Sequence, residues 1–451
     1  MTWKGVGFYH TRMRTKAVFT LLTLLSGLTV LACSESSDGP VESPKPAAEG
    51  GAGGQDGGAD VSSGGDTGVD VDAKTEGGGG KDVGAGGEGT EGGLVDAQPD
   101  TPADAPPEEP LTAKRAAAEM GYGFNLGEFF ESTKETPRTF EVAKKKIDAY
   151  YAMGFRNLRI PITWTEKVNG TRLVHDPLVG DVDHQHPRLA EITKVIDYAL
   201  SLPGLYVVIN AHHEKELKEY SRDTVLQRLW ADITEMYADR DHRLLFEFLN
   251  EPHRSGQNEM PGPDLVRMTG MAYEEVRARD PERIVIIGGN RVFYAAEMGN
   301  VWKNLDKVGG GNDPFVMATF HHYNPWDFCG DHKYPYTYPW TKEEQEKPMN
   351  TMKKWAEGDG QGMPVYIGEW GVGWKSGESK PPLRCNNIRE WYSTFHRDSA
   401  APRGQPTAVW DDGGWFKVFD YQTGEFDNNL AECIVGPCAW DGTGRYDGCG
   451  K

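Results

Sequence analysis

Cysteine is scarce in this chain of 451 residues, and its six cysteines include no Cys-x-x-Cys pair. A zinc knuckle is therefore not expected. The chain also lacks a stripe of basic residues and has a formal net charge of −20, which argues against a nucleic-acid partner. No apolar run reaches the roughly 20 residues of a membrane-spanning helix.

Aromatic residues are absent from residues 34–110, which contain 20 glycines, 18 acidic and 3 basic side chains. Such a segment cannot bury enough apolar surface to offset the entropy of ordering it, and its like charges repel one another. We expect a disordered linker here, with a root-mean-square reach of about 50 Å.

Residues 1–33 have the organisation of an export signal. Four basic residues precede an apolar run over residues 17–32. The sequence Val-Leu-Ala-Cys that ends at Cys33 resembles the lipobox of bacterial lipoproteins, and this resemblance implies an acylated Cys33. A signal peptide cut nearby and a retained anchor are the alternatives. We expect an exported protein that is lipid-anchored to the cell envelope, with the inner membrane, the outer membrane and the cell surface open as destinations.

Residues 111–451 have a globular composition and form the third predicted domain. Short and mostly continuous apolar runs alternate there with amphipathic patterns, as is typical of parallel strands covered on both faces. We predict an α/β fold, a (β/α)8 TIM barrel, preceded by the acidic glycine-rich linker. The predicted strands cover residues 121–125, 157–160, 206–210, 244–248, 284–287, 316–320, 365–367 and 407–410. The predicted helices cover residues 137–153, 187–200, 223–237, 264–279, 341–355 and 388–395.

Two glutamates stand where predicted strands end. Glu251 lies in Leu-Asn-Glu-Pro after the fourth strand, and Glu369 lies in Ile-Gly-Glu-Trp after the seventh. Hydrolysis of a glycosidic bond needs one protonated carboxyl group that assists the leaving oxygen and one ionised carboxyl group that attacks or stabilises the sugar. We therefore expect these two glutamates to form a catalytic pair rather than to be solvated loop residues.

Polar motifs also end most of the other predicted strands. They are Gly-Phe-Asn-Leu-Gly (123–127), Arg-Ile-Pro (159–161), Asn-Ala-His-His-Glu (210–214), His-His-Tyr-Asn-Pro (321–325) and Trp-Asp-Asp-Gly (410–413). Together with the two glutamate motifs, they make residues 120–430 resemble glycoside hydrolase family 5. This is a family of retaining (β/α)8 enzymes that includes many cellulases.

The resemblance implies roles for individual residues. Glu251 corresponds to the general acid/base and Glu369 to the nucleophile. Asn250 would hold the 2-hydroxyl group of the sugar under attack, and Arg159 and Tyr323 would contact Glu369. A guanidinium group and a phenol donor beside a nucleophile favour its ionised form.

The resemblance also implies that polar and aromatic side chains surround the two glutamates. His212 and His321 would complete the polar shell, and Trp410 would lie beneath the sugar at the cleavage point. Trp164 and Trp326 each follow a strand end, so they are the next candidates for stacking on pyranose rings. Packing in the core or at the barrel rim is the alternative for about half of the aromatic side chains in these loops.

Other interpretations remain open for part of this set. Arg159 could be an ion-pair partner of Glu247, with or without a role at the site. His212 and His321 could support the site without direct contact with the reacting atoms. A zinc site built on His212, His213 and Glu214 lacks the His-Glu-x-x-His spacing, so we expect no metal and no cofactor.

The resemblance implies a retaining endo-β-1,4-glucanase that binds β-glucan polysaccharide and acts as a monomer. A mannanase or xyloglucanase of the same family is the alternative, because specificity lies in loops rather than in the fold. A surface glycan-binding lipoprotein without catalysis is an alternative of a different class.

The late cysteines suggest disulfides in an exported protein. Cys329 and Cys385 lie in neighbouring βα loops, which share one face of a barrel, and we expect a bridge between them. Cys438 and Cys449 are favoured for a second bridge, although Cys433 is equally near in sequence.

Overall fold

The computed structural model describes residues 109–132, 139–330, 340–373, 382–426 and 429–436, without the side chains of Gln257 and of residues 382–387. The predicted signal peptide at 1–33, the predicted lipidation site Cys33 and the predicted linker up to residue 108 lie outside these described residues.

Eight parallel strands form a closed barrel in which β1 pairs with β2 and β8 completes the circle by pairing with β1. Nearly every residue in them is buried, and this two-sided burial explains the continuous apolar runs of the sequence. The predicted TIM barrel is confirmed, and each predicted strand overlaps an observed one. The strands are β1 (Tyr122–Asn125), β2 (Asn157–Ile160), β3 (Tyr206–Asn210), β4 (Leu244–Glu247), β5 (Val285–Gly288), β6 (Val316–His322), β7 (Val365–Trp370) and β8 (Thr407–Val409).

Helices follow the strands, and the long ones bury one apolar stripe against the barrel, as the amphipathic patterns predict. Within the described ranges, none of them is both long and apolar enough to cross a membrane. The helices are α1 (Ala113–Met120), α2 (Phe140–Ala152), α3 (Pro187–Ser201), α4 (Lys215–Glu219), α5 (Asp223–Met236), α6 (Gly262–Arg279), α7 (Met298–Val301), α8 (Trp326–Cys329), α9 (Lys342–Glu357), α10 (Pro382–Thr394) and α11 (Leu430–Val435).

Helix α1 lies under the amino-terminal ends of the strands and is absent from the sequence-based prediction. Its buried residues, Ala113, Ala116, Ala117 and Met120, form one stripe at helical spacing. They pack in one cluster with side chains from the strands, and the Ala113 backbone N–H donates to Pro314 O at 2.8 Å just before β6. This packing closes the amino-terminal end of the barrel and leaves the opposite end for a site.

After β8 come two short antiparallel strands, β9 (Phe419–Asp420) and β10 (Glu425–Phe426), followed by α11. Cys329 is fully buried as a thiol, because α8 turns it into the hydrophobic core; the predicted bridge to Cys385 is therefore wrong. Cys433 is disulfide-bonded, but the side chain of Cys385 and residues Cys438 and Cys449 lie outside the described part of the chain.

Candidate active site

The carboxyl-terminal ends of the strands hold a compact group of ionisable side chains. Glu369 lies in β7, His321 lies in β6, and Glu251 follows the last residue of β4 by four positions. One ligand atom from each of these three side chains lies within 4.8 Å of the others. Glu251 has a φ of 44°, which is uncommon for a residue other than glycine and is a kind of strain that clusters at functional sites.

Arg159 in β2 organises the base of this group. Its guanidinium group uses all five N–H donors, and the side chain is completely buried. Two of the bonds reach Glu247, at 2.9 and 2.6 Å, and one reaches Glu369 Oε1 at 2.7 Å. The other two reach the side-chain oxygens of Asn125 at 3.0 Å and Asn250 at 2.7 Å. Both interpretations of Arg159 therefore hold together, since it pairs with Glu247 and also contacts Glu369.

The two glutamates have different hydrogen-bond partners. Glu369 accepts from Arg159 and, at its second oxygen, from the phenol of Tyr323 at 3.0 Å. Glu251 Oε1 lies 2.8 Å from His321 Nδ1. Burial raises the pKa of both carboxyl groups, but only Glu369 has a cation and a phenol donor that favour its ionised form directly. The hydrogen bonds from Arg159 and Tyr323 therefore distinguish the surroundings of Glu369 from those of Glu251.

The histidines of the site are neutral. Burial lowers the pKa of His321 to about 4 and that of His212 well below its ordinary value. His212 Nε2 lies 3.4 Å from the amide nitrogen of Asn250. Its ring is parallel to the indole of Trp410, with centroids 6.0 Å apart. His212 thus lies between the Asn250 side chain and the indole of Trp410.

Trp410 follows β8 and lies against Gly127. The backbone N–H of Gly127 donates to Asp411 O at 3.2 Å. A Cβ atom at Gly127 would lie 2.9 Å from that oxygen and 3.2 Å from Trp410 Cζ2. A side chain there would displace the indole, so this close approach requires glycine.

The other two predicted stacking residues differ from each other. Trp326 in α8 is partly buried, and its ring contacts Tyr323 edge to face at 6.4 Å. Trp164 is completely buried, and its Nε1 donates to Asn210 O at 2.9 Å. An indole without exposed surface offers no face to a sugar, so the expected stacking role of Trp164 is replaced by packing.

Glu214, which the alternative zinc site would use, accepts backbone N–H bonds from Trp164 at 2.7 Å and from Thr165 at 2.9 Å. Glu251, His321 and Glu369 do offer three donor atoms to a cation. Glu251 is also hydrogen-bonded to His321, and Glu369 accepts from Arg159 and Tyr323.

Lys218 is a charged neighbour that the sequence patterns do not reveal. Its ammonium group is buried and donates to His212 O at 2.9 Å. Burial lowers the pKa of Lys218 to about 8, while the charge of Glu251 opposes that shift. Lys218 lies in α4, whose sequence alternates lysine and glutamate as solvent-exposed helices often do. The local sequence therefore does not predict that Lys218 is buried beside the site.

Comparison with known proteins agrees with this geometry. The family described as Cellulase (glycosyl hydrolase family 5) matches residues 120–412. Endoglucanase H of Acetivibrio thermocellus is 28% identical over 329 residues, covering 70% of this chain and 33% of that protein. Endoglucanase A of Clostridium longisporum is 29% identical over 341 residues, covering 66% of this chain and 59% of that protein. The chain thus spans about a third and about three-fifths of these two relatives.

Solved structures show the same fold. A GH5-4 broad specificity endoglucanase from Clostridium acetobutylicum has a TM-score of 0.60 at 20% identity, covering 72% of this chain and 99% of that one. A hyperthermophilic endo-beta-1,4-glucanase in complex with substrate has a TM-score of 0.56 at 22% identity, with coverages of 72% and 99%. The family match over most of the folded region, on a barrel with this site, shows that the chain belongs to glycosyl hydrolase family 5, the cellulase family, and is a glycoside hydrolase.

Proposed function

We propose that this protein is a retaining endo-β-1,4-glucanase that cleaves β-linked glucans by double displacement. The observation that carries the proposal is the pair of carboxyl groups of Glu251 and Glu369, with an oxygen of each within 4.8 Å of the other. Retaining glycosidases hold their two carboxyl groups about 5–5.5 Å apart, whereas inverting enzymes need about 6.5–9.5 Å to admit a water molecule.

In the first step, ionised Glu369 attacks the anomeric carbon while Glu251 transfers its proton to the glycosidic oxygen. The bond from the anomeric carbon to the leaving sugar breaks, and an ester bond to Glu369 forms. Arg159 and Tyr323 hold the attacking carboxylate in place, and the amide of Asn250, fixed by Arg159, is available to the 2-hydroxyl group of the sugar.

In the second step, Glu251 acts as a base. Esterification removes the charge of Glu369, so the carboxylate of Glu251 can accept a proton from water as that water attacks the anomeric carbon. The ester bond breaks, Glu369 is regenerated as a carboxylate, and the sugar keeps its β configuration.

The test is the pair of variants Glu251→Gln and Glu369→Gln, with Glu357→Gln on exposed α9 as the matched control. Both site variants lose several orders of magnitude in kcat on a soluble glucan, and the control is unchanged. On an aryl glycoside with an activated leaving group, added azide rescues a Glu251→Ala variant and yields a β-glycosyl azide. Equal losses that azide leaves unchanged in both positions would contradict the assigned roles.

The preference for β-glucan has its support in the relatives, which are named endoglucanases. The fold and the carboxyl pair are compatible with mannan or xyloglucan as well, because the loops decide specificity. Release of reducing ends from carboxymethylcellulose, mixed-linkage glucan, xyloglucan and mannan distinguishes them. Highest kcat/KM on mannan would overturn the substrate assignment while leaving the mechanism intact.

We also propose that the protein is exported and lipid-anchored at Cys33. The support for this is the lipobox-like sequence that ends at Cys33. Cys33→Ser in a bacterial host moves the protein from detergent-extracted membranes to the soluble fraction. Native protein found soluble at its unmodified mass would exclude the anchor.

A further inference from the structure

Two buried polar atoms beside the catalytic pair have no hydrogen-bond partner among the residues that the structure describes. They are Oγ1 of Thr319 and Nε2 of His321. Both residues lie in β6, two positions apart, with relative exposures of 0% and 4%. Buried polar atoms in proteins are almost always hydrogen-bonded, so two such atoms on one strand need a common explanation.

The two atoms converge on the same glycine of the neighbouring strand. A Cβ atom at Gly368 in β7 would lie 3.0 Å from Thr319 Oγ1 and 3.3 Å from His321 Nε2. The register between β6 and β7 also shifts between Phe320 and His321, opposite this glycine. The hydroxyl group and the ring nitrogen therefore both border the backbone of Gly368, which carries no side chain and directly precedes Glu369.

The other ring nitrogen of His321 faces the reacting groups. Nδ1 lies 2.8 Å from Glu251 Oε1 and 3.5 Å from Glu369 Oε2. A neutral imidazole carries one hydrogen, so the tautomer decides what Nδ1 does there. If Nδ1 carries the hydrogen, it donates to a Glu251 carboxylate. If Nε2 carries it, the lone pair of Nδ1 accepts from a protonated Glu251.

We propose that Thr319 is a positioning residue: its hydroxyl group accepts the Nε2–H of His321 across one water molecule, and so leaves the lone pair of Nδ1 to accept a hydrogen bond from protonated Glu251. This inference rests on the proposed role of Glu251 as the acid. An Nδ1–H would face both carboxyl groups and stabilise both as anions, which leaves no proton for the leaving oxygen. The Nε2–H tautomer instead supports one protonated and one ionised carboxyl group, as the first step requires.

Other charged and titratable groups act on Glu251 and His321 from every side, and all of them are present in each variant compared below. They are Arg159 from β2, His212 and Lys218 from the β3 end and α4, Glu247 and His253 from β4 and its loop, and Glu369 from β7. The comparison therefore isolates the hydroxyl group of Thr319.

The first test compares Thr319→Val, which removes the hydroxyl group at nearly constant shape, with Thr319→Ser, which keeps it. Loss of the acceptor shifts His321 towards Nδ1–H, which favours ionised Glu251 and lowers its pKa. The alkaline limb of kcat/KM on a glucan then moves to lower pH by about one unit, the size of one neutral hydrogen bond. The Ser variant keeps the wild-type limb.

Substrate chemistry separates this effect from a general loss of structure. On an aryl cellobioside with an activated leaving group, the first step needs no acid, so the kcat/KM of the Val variant stays within about twofold of the wild-type value. On the glucan, at pH values above the alkaline limb, the kcat/KM of the same variant falls by up to about tenfold. An unmoved alkaline limb in the Val variant, or an equal shift in the Ser variant, overturns the proposal.

A second measurement needs no variant of Thr319. Nitrogen NMR of the ¹⁵N-histidine-labelled wild-type protein reports which ring nitrogen of His321 is protonated, with a His321→Asn sample used only to assign the signal. A protonated Nε2 and unprotonated Nδ1 agree with the proposal, and the reverse pattern overturns it. Failure of the catalytic assignment itself is visible separately, as undiminished turnover of Glu251→Gln.

Discussion

The ammonium group of Lys146 lies 2.9 Å from Oδ2 of Asp411, and both side chains are completely buried. Lys146 comes from α2, and Asp411 follows Trp410 at the end of β8. The same ammonium group donates to the backbone oxygen of Asp411 at 2.7 Å and to the phenol of Tyr421 at 3.1 Å. This ion pair therefore fixes the backbone directly behind the indole of Trp410.

Replacing the cation should unfold the protein more easily. Lys146→Met leaves the carboxylate of Asp411 buried without its ion-pair partner, and removing one member of a buried pair costs about 3–5 kcal/mol. Urea unfolding measures the loss of free energy. Lys145→Met, on the exposed side of the same helix, is the control and should change stability by less than about 0.5 kcal/mol. A loss below about 1 kcal/mol for Lys146→Met would mean that the pair has no structural role.

Filling the space at Gly127 should weaken substrate binding. In Gly127→Ala, the new methyl group must push against Asp411 O and the Trp410 ring, which lie 2.9 and 3.2 Å from the Cβ position. Displacement of the indole would remove the proposed stacking on the sugar, so KM for a soluble glucan should rise by about tenfold, the equivalent of about 1.4 kcal/mol. Gly262→Ala, with no atom within 4 Å of its Cβ position, is the control. An unchanged KM would show that Trp410 tolerates the shift.

The barrel and most of the site could be predicted because each depends on local pattern. Continuous apolar runs predict strands that are buried on both faces, and the ionisable side chains of the site lie where those runs end. What depends on contacts distant in sequence could not be predicted. Trp164 follows a strand end as Trp410 does, yet it reaches Asn210 O and is buried. The Ala-rich stripe of α1 has meaning only against the barrel end that it covers, and no spacing reveals that Thr319 and Gly368 meet.

The five-donor arrangement of Arg159 should not tolerate lysine. Arg159→Lys offers three donors to a site that now receives five, so bonds to Asn250, Glu247 or Glu369 are lost. We expect kcat/KM on a glucan to fall by about 100-fold, the equivalent of about 2.7 kcal/mol and one or two charge-assisted hydrogen bonds.

The pH profile of this variant provides a second readout. Burial raises the pKa of Glu369, and the charge of Arg159 opposes that rise. A weaker cation contact raises the pKa of Glu369 further, so the acid limb of kcat/KM should move to higher pH in Arg159→Lys. Arg279→Lys on the surface of α6 serves as the control. A decreased rate with an unmoved acid limb would show that Arg159 positions Glu247 and Asn250 without tuning the pKa of Glu369.

Stability should fall in acid, in part through His322. This side chain is completely buried; its Nε2 lies 2.6 Å from Gln345 O, and its Nδ1 accepts the backbone N–H of Asn324 at 3.4 Å. Both ring nitrogens are satisfied only in the neutral form, and burial lowers the pKa to about 4. The unfolded chain protonates near the ordinary pKa of about 6.5, so it binds the proton first, and stability is lost as the pH falls from about 6.5 towards 4.

His322→Gln removes this titration and keeps an N–H that can donate to Gln345 O. Between pH 7 and pH 4.5 the wild-type protein should lose about 2 kcal/mol more free energy of unfolding than the variant does. Urea unfolding at the two pH values measures the difference, and His175→Gln at an exposed position is the control. Equal losses in the wild-type protein and His322→Gln would show that His322 becomes charged within the folded state at no cost, and that its neutral hydrogen bonds do not hold β6 against α9.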